Sequence, residues 1–151
     1  MTVTQDVSEK KGILLVDDES LVLNVLEAVL SPLKDTFNTY TASSGEQALK
    51  MLDDGEVKNL YILVTDLYMA PGMNGLDLCQ RLKETNPSVY LIMVTGRPTD
   101  SMYDRFEKLG GFAILLKPGA ITKLADTIRK AVANKPSIGY QTNETIESRL
   151  E

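Results

Sequence analysis

Short apolar runs alternate along the chain with segments whose apolar residues recur every three or four positions. The first run, Gly12 to Val16, ends in Asp17 and Asp18. Leu21, Val22, Val25, Leu26, Val29 and Leu30 follow at helical spacing, which predicts an amphipathic helix. Ser20 or Asp18 is expected to cap its start, and Pro32 to mark its end. Phe37 to Thr41 predicts a weak second strand. Ser44-Gly45-Glu46 opens a second helix with Ala48, Leu49 and Leu52 on one face. The third strand is plainer: Leu60 to Val64, followed by Thr65 and Asp66. In the loop from Leu67 to Asn74, Pro71-Gly72 signals a turn. Leu76 to Glu84 reads as helix, stopped by Asn86-Pro87, and Val89 to Val94 as a fourth strand ending at Thr95-Gly96. Met102, Phe106 and Leu109 share a face of a fourth helix closed by Gly110-Gly111. Phe112 to Leu116 predicts a fifth strand running into Lys117-Pro118. Ile121, Leu124, Ala125, Ile128 and Val132 make the last helix amphipathic.

Strands 1, 3, 4 and 5 are nearly all apolar, as strands are when helices cover both faces of a parallel sheet. Right-handed crossovers then favour an α/β fold, a five-stranded parallel sheet of flavodoxin-like, doubly wound (βα)5 type in strand order 2-1-3-4-5. The folded unit is expected over residues 12–133. Residues 1–11 are expected to be a disordered polar segment. Asn134-Lys135-Pro136-Ser137 breaks the last helix, so residues 134–151 read as a polar tail or linker.

Composition narrows the function. The chain has 151 residues, of which 43% are hydrophobic and 25% charged, ordinary for a globular domain. No apolar run approaches the roughly 20 residues that span a bilayer, and the first residues lack a signal peptide's apolar stretch. Net charge is −5 with no basic tract, so neither a membrane nor direct nucleic-acid contact is expected. One cysteine, Cys79, cannot form an internal disulfide, which fits a reducing, cytoplasmic setting. It shares a helix face with Leu76 and Leu82 and reads as an inert buried thiol. The absence of histidine excludes histidine acid–base catalysis, histidine-ligated metal and an internal phosphohistidine.

The polar exceptions carry the chemistry. On the predicted fold Asp17 and Asp18 close strand 1, Asp66 closes strand 3, Thr95 closes strand 4 and Lys117 closes strand 5. All lie at the carboxyl edge of one sheet, beside the topological switch point where open α/β sheets bind ligands. Taken singly, each has a plain explanation as a cap, a loop residue, a strand-end hydroxyl or a surface lysine. Their conjunction does not. Two like charges about 4 Å apart repel by about 4 kcal/mol at an effective dielectric near ~20. An all-oxygen, open site of this kind suits Mg2+. Asp66 is then the nucleophile that forms an acyl phosphate. Lys117 and the Thr95 hydroxyl donate to phosphoryl oxygens, and Gly96 leaves room for them.

The chain resembles the receiver domain of two-component response regulators. The resemblance rests on Ile13-Leu14-Leu15-Val16-Asp17-Asp18-Glu19, on Val64-Thr65-Asp66-Leu67-Tyr68-Met69 with Pro71-Gly72-Met73-Asn74-Gly75, on Met93-Val94-Thr95-Gly96, and on Leu115-Leu116-Lys117-Pro118. It covers roughly residues 11–133. It implies that Asp17 and Asp18 hold Mg2+, Asp18 the more directly, with Asp66 and the backbone carbonyl of Tyr68 completing the site. It implies a cis Lys117-Pro118 bond and a phosphohistidine donor on a sensor histidine kinase or phosphotransfer protein. The output protein is unknown; the expected route is the helix 4, strand 5 and helix 5 face, with a homodimer through it as one form. The chain would catalyse its own phosphorylation and dephosphorylation, with no turnover of an external substrate.

Three features depart from the family pattern. Ala70 lengthens the loop after Asp66 by one residue. Ile114 stands three residues before the lysine, where the family usually carries Tyr or Phe, and Phe112, on the same strand face by parity, is the candidate replacement. Tyr68 and Arg97-Pro98 put bulk beside the site, which is expected to shield an acyl phosphate from water. Rival readings are a phosphorylation-independent pseudo-receiver interaction module, a dehalogenase-like phosphotransferase, which would want a second Asp where Tyr68 stands, and a flavin-binding domain, whose phosphate the carboxylates would repel.

Overall fold

The computed structural model describes residues 10–133. Five strands form one parallel sheet: β1 (Lys11–Val16), β2 (Phe37–Ala42), β3 (Leu60–Thr65), β4 (Tyr90–Thr95) and β5 (Ala113–Leu116). Their order is β2-β1-β3-β4-β5, as expected from the crossover rule. Five helices connect them: α1 (Ser20–Leu30), α2 (Gly45–Asp53), α3 (Gly75–Thr85), α4 (Asp100–Lys108) and α5 (Leu124–Val132). Short 3-10 turns at Ser31–Leu33 and Gly119–Lys123 extend α1 and lead into α5. Ile121, expected in the last helix, sits in that second turn.

Side-chain alternation along the strands divides the interior in two. Leu14, Val16, Leu63, Leu91, Met93 and Ile114 face α2, α3 and α4, where they meet Ala48, Leu78, Leu82 and Phe106. Ile13, Leu15, Ile62, Val64, Ile92 and Val94 face α1 and α5, where they meet Leu26, Leu30, Leu124 and Ile128. Cys79 is fully buried, and that burial pushes its thiol up to about 12.

The register lines up the carboxyl ends of the central strands. Val16 pairs with Thr65, Thr65 with Met93, and Thr95 with Leu116. Helix starts are fixed locally: Ser44 accepts from the Gln47 N–H, Thr99 from the Met102 N–H, and Asn74 and Asp77 form a reciprocal capping box.

Several sequence expectations are corrected. Lys11, expected to precede the folded unit, is the first residue of β1 and pairs with Phe37. Lys10, from the same segment, is described too and donates from Nζ to the Lys34 carbonyl at 3.1 Å, while residues 1–9 and the tail, residues 134–151, lie outside the described residues. Neither Ser20 nor Asp18 caps α1. Its N-cap is Glu19, whose N–H donates to Asp17 Oδ1 at 2.9 Å. On α1 the buried stripe is Leu23, Leu26 and Leu30, whereas Leu21 is 77% and Val25 47% exposed. The helix lies rotated on the sheet, so one edge of its apolar arc faces outward.

Phe112 is not on the face of Ile114. Pleated alternation begins only at Ala113, because Gly110 (φ 81°) and Gly111 turn the chain just before. Phe112 therefore joins the α1–α5 side, edge-on to Tyr90 with centroids 5.4 Å apart. Tyr90 in turn packs on Tyr61, and Tyr61 on Phe37. Ile114 is fully buried on the opposite side.

Candidate functional site

The central strands deliver their polar ends to one cleft. Asp66 follows β3 directly, and its N–H donates to the Val16 carbonyl at 3.0 Å, continuing the ladder with β1 by one residue. Its carboxylate is held from two sides: Oδ1 accepts from the Leu67 N–H at 2.7 Å and Oδ2 from Lys117 Nζ at 3.2 Å. Behind it, α3 starts at Gly75, where a Cβ would collide with the Asp66 carbonyl oxygen. Glycine there lets the helix begin against the back of the site.

Asp17 follows β1, and its N–H donates to the Ala42 carbonyl at 3.2 Å. It is 1% exposed, and both its oxygens are engaged, Oδ1 by the Glu19 N–H and Oδ2 by Lys117 Nζ at 2.8 Å. One ammonium thus sits between two buried carboxylates, which a buried like-charge pair requires. Lys117 reaches them from the end of β5, and the Lys117-Pro118 bond is cis, as the resemblance implied; Ala70-Pro71 is cis as well.

The electrostatics follow from burial. Desolvation raises the Asp66 pKa, and the charge of Asp17 adds to the rise, against the lowering effect of Lys117. Burial pushes Lys117 down, but its hydrogen bond to Asp17 and the charges of both aspartates outweigh that, so its pKa is raised.

A cleft of about 620 Å³ opens above these groups, lined by Asp18, Glu19, Asp66, Tyr68, Thr95, Gly96, Arg97 and Lys117. Thr95 is fully buried, and its hydroxyl oxygen accepts from the Arg97 N–H at 3.3 Å, which leaves its proton available for donation. A Cβ on Gly96 would meet only Lys117 Cβ within 4 Å, so the floor is open there. Tyr68, half exposed, and Arg97 also line the cleft.

Asp17, Asp66 and Lys117 are therefore in direct contact, while Asp18, Tyr68 and Thr95 line the cleft. Sequence reasoning gave no role to Glu19. Its carboxylate and those of Asp17 and Asp18 offer oxygens within 4.8 Å of one another. The uninterrupted acidic run Asp17-Asp18-Glu19 was the signal for it. These residues fit a hard divalent cation: the donors are all oxygen, Asp18 and Glu19 are exposed on the cleft, and Asp17 and Asp66 sit beneath with the charge to offset.

Comparison with known proteins agrees with the geometry. Residues 13–129 match the response regulator receiver domain family. The chain is 33% identical over 137 residues to the heme response regulator HssR of Staphylococcus epidermidis, covering 91% of this chain and 56% of that protein. It is 35% identical over 133 residues to HssR of Staphylococcus aureus, with 88% and 56% covered. The chain thus spans little more than half the length of these relatives. Among solved structures, the signal receiver domain of an HD domain-containing protein from Pseudomonas fluorescens Pf-5 superposes with a TM-score of 0.74 at 26% identity, covering 83% of this chain and 97% of that one. The isolated REC domain of RcsB from Salmonella enterica serovar Typhimurium, determined with the phosphomimetic BeF3−, gives 0.76 at 23% identity, covering 95% and 100%, a likeness of fold.

Proposed function

Because this chain belongs to the response regulator receiver domain family of two-component signalling, we propose that it takes a phosphoryl group onto Asp66 from a phosphohistidine on a sensor histidine kinase or phosphotransfer protein. An Asp66 carboxylate oxygen attacks phosphorus as the P–N bond of the donor breaks, and the proton needed by the departing imidazole comes with the donor or from solvent. The product is an acyl phosphate.

The side chains of this chain have distinct parts. Lys117, oriented by Asp17, is poised to donate to a phosphoryl oxygen as charge builds on it. The Thr95 hydroxyl can donate to another, and Gly96 leaves space for the group. Asp18, Asp66 and the Tyr68 carbonyl would hold Mg2+, with Asp17 and Glu19 adding negative charge around it. Bound Mg2+ supplies neutralisation of the phosphoryl oxygens.

The observation that carries this reading is the single ammonium of Lys117 held between Asp17 and Asp66 at the base of the cleft. Incubation with a small phosphodonor and Mg2+ should label the wild type, and Asp66→Ala should abolish the label; retained labelling in the variant would refute the assignment.

The proposal extends to the setting. No helix among the described residues is long and apolar enough to cross a membrane. A cytoplasmic location, an output protein engaged through the α4, β5 and α5 face, and a homodimer through that face are parts of this reading, as is the absence of direct nucleic-acid contact.

A further inference from the structure

We propose that Glu46, in the first turn of α2, is a positioning residue that clasps the loop carrying Tyr68 and so sets the cation affinity of the Asp66 cleft, an inference that rests on the reading of that cleft given above. Residues 67–74 leave β3 at Asp66 and return at α3. The near end of this loop is tied down: the Gly75 N–H donates to the Leu67 carbonyl at 2.8 Å, and the side chains of Leu67 and Met69 are buried. Ala70, Pro71 and Gly72 are exposed.

Glu46 holds the far side, reaching across from another helix. Its Oε2 accepts from the Met73 N–H at 2.9 Å. Gly72 has φ +108°, a backbone region that side chains rarely adopt, and a Cβ there would lie 2.7 Å from Glu46 Oε2. The carboxylate occupies the room that glycine leaves. Beside it, a Cβ on Gly45 would strike the Met73 side chain. Gly45, Glu46 and Gly72 together thus fit the start of α2 onto the loop. The Met73 hydrogen bond is also the leading reason that the Glu46 carboxyl is held below its ordinary range, so the acceptor is ionised at neutral pH. With both ends held, the intervening backbone, Tyr68 included, is presented to the cleft in one arrangement, and a preorganised ligand set binds more tightly than a loose one.

Glu46 also places a negative charge at the start of α2, which by itself would favour the helix. The test separates the two effects. Mg2+ binding to the intact chain is measured by calorimetry for the wild type, Glu46→Ala and Glu46→Gln, with melting curves for each. Both variants lose the helix-end charge, but only glutamine keeps an oxygen that can accept from the Met73 N–H. The expected result is a Kd about fivefold weaker for Glu46→Ala and within about twofold of wild type for Glu46→Gln. Gly72→Ala, which would displace the carboxylate, should weaken binding as Glu46→Ala does. Unchanged affinity in Glu46→Ala or Gly72→Ala, or equal loss in Glu46→Gln and Glu46→Ala, overturns the clasp while leaving the receiver reading intact. A wild type that neither binds Mg2+ nor accepts a phosphoryl group overturns both.

Discussion

The ammonium of Lys117 and the carboxylate of Asp17, 100 residues apart in the chain, meet at 2.8 Å beneath the cleft. The side chain of Asp17 is 2% exposed and that of Lys117 16%, so solvent screens the pair only weakly. Removing one partner strands the other.

Lys117→Ala leaves Asp17 and Asp66 as neighbouring buried carboxylates with no cation between them. Breaking a buried pair from one side costs about 3–5 kcal/mol, and the residual access of water here brings the expectation to about 2–4 kcal/mol. Urea denaturation followed by far-UV circular dichroism measures it. Added Mg2+ should recover part of the loss in this variant and stabilise the wild type less.

Asp66→Asn should behave in the opposite way. The Asp66 pKa is raised on folding, chiefly by burial. A carboxyl with a raised pKa favours the folded state when protonated and disfavours it progressively as pH rises through the folded pKa. Ionised Asp66 is therefore a burden at neutral pH that the amide lacks. The variant should melt higher than wild type at pH 7 without Mg2+, by about 2–4 °C for each kcal/mol relieved. The gap should close as pH falls below the ordinary carboxylate range near ~4. A lower melting temperature at pH 7 would mean that attraction to Lys117 outweighs burial.

Among the acidic residues, Asp18 should matter most directly for the cation. Both Asp17 oxygens already have partners, whereas Asp18 lines the cleft. Asp18→Asn is expected to weaken Mg2+ binding about tenfold, and Glu19→Gln about two- to threefold, because ligand charge tunes affinity. Titration followed by NMR or calorimetry checks this, since the chain has no tryptophan to report by fluorescence.

Tyr68 and Arg97 both line the cleft that holds Asp66. Replacing either by alanine should admit water and shorten the life of the acyl phosphate about threefold, with little effect on the melting temperature because Tyr68 is half exposed. Loss of label over time from phosphorylated wild type and variants decides it.

The doubly wound sheet was legible in the linear pattern because nearly all-apolar strands and three-to-four-residue periodicity are local properties of the chain. The placement of Asp17, Asp18, Asp66, Thr95 and Lys117 at one edge was legible for the same reason: each ends an apolar run or lies within two residues of its end. Orientation was less legible. Leu21 and Val25 have helical spacing, yet they face outward, because spacing defines an apolar arc and the seating of α1 on the sheet selects which part of it is buried. Phe112 has the parity of Ile114 but lies on the other side of the sheet, because the turn at Gly110 and Gly111 interrupts the alternation that parity assumes.

The sequence by itself determined the order of elements, the two helix layers and the edge at which the polar residues collect, since these depend on periodicity and on the handedness of crossovers. Only the tertiary structure decided which side chains touch there: that Lys117 bridges Asp17 and Asp66, that Glu19 joins the acidic cluster, that Ile114 is locked in the core, and that Glu46 reaches Met73, 27 residues away. Such contacts depend on how far each side chain extends from its own backbone and on which strand the fold sets beside it, and neither is written in the spacing of apolar residues.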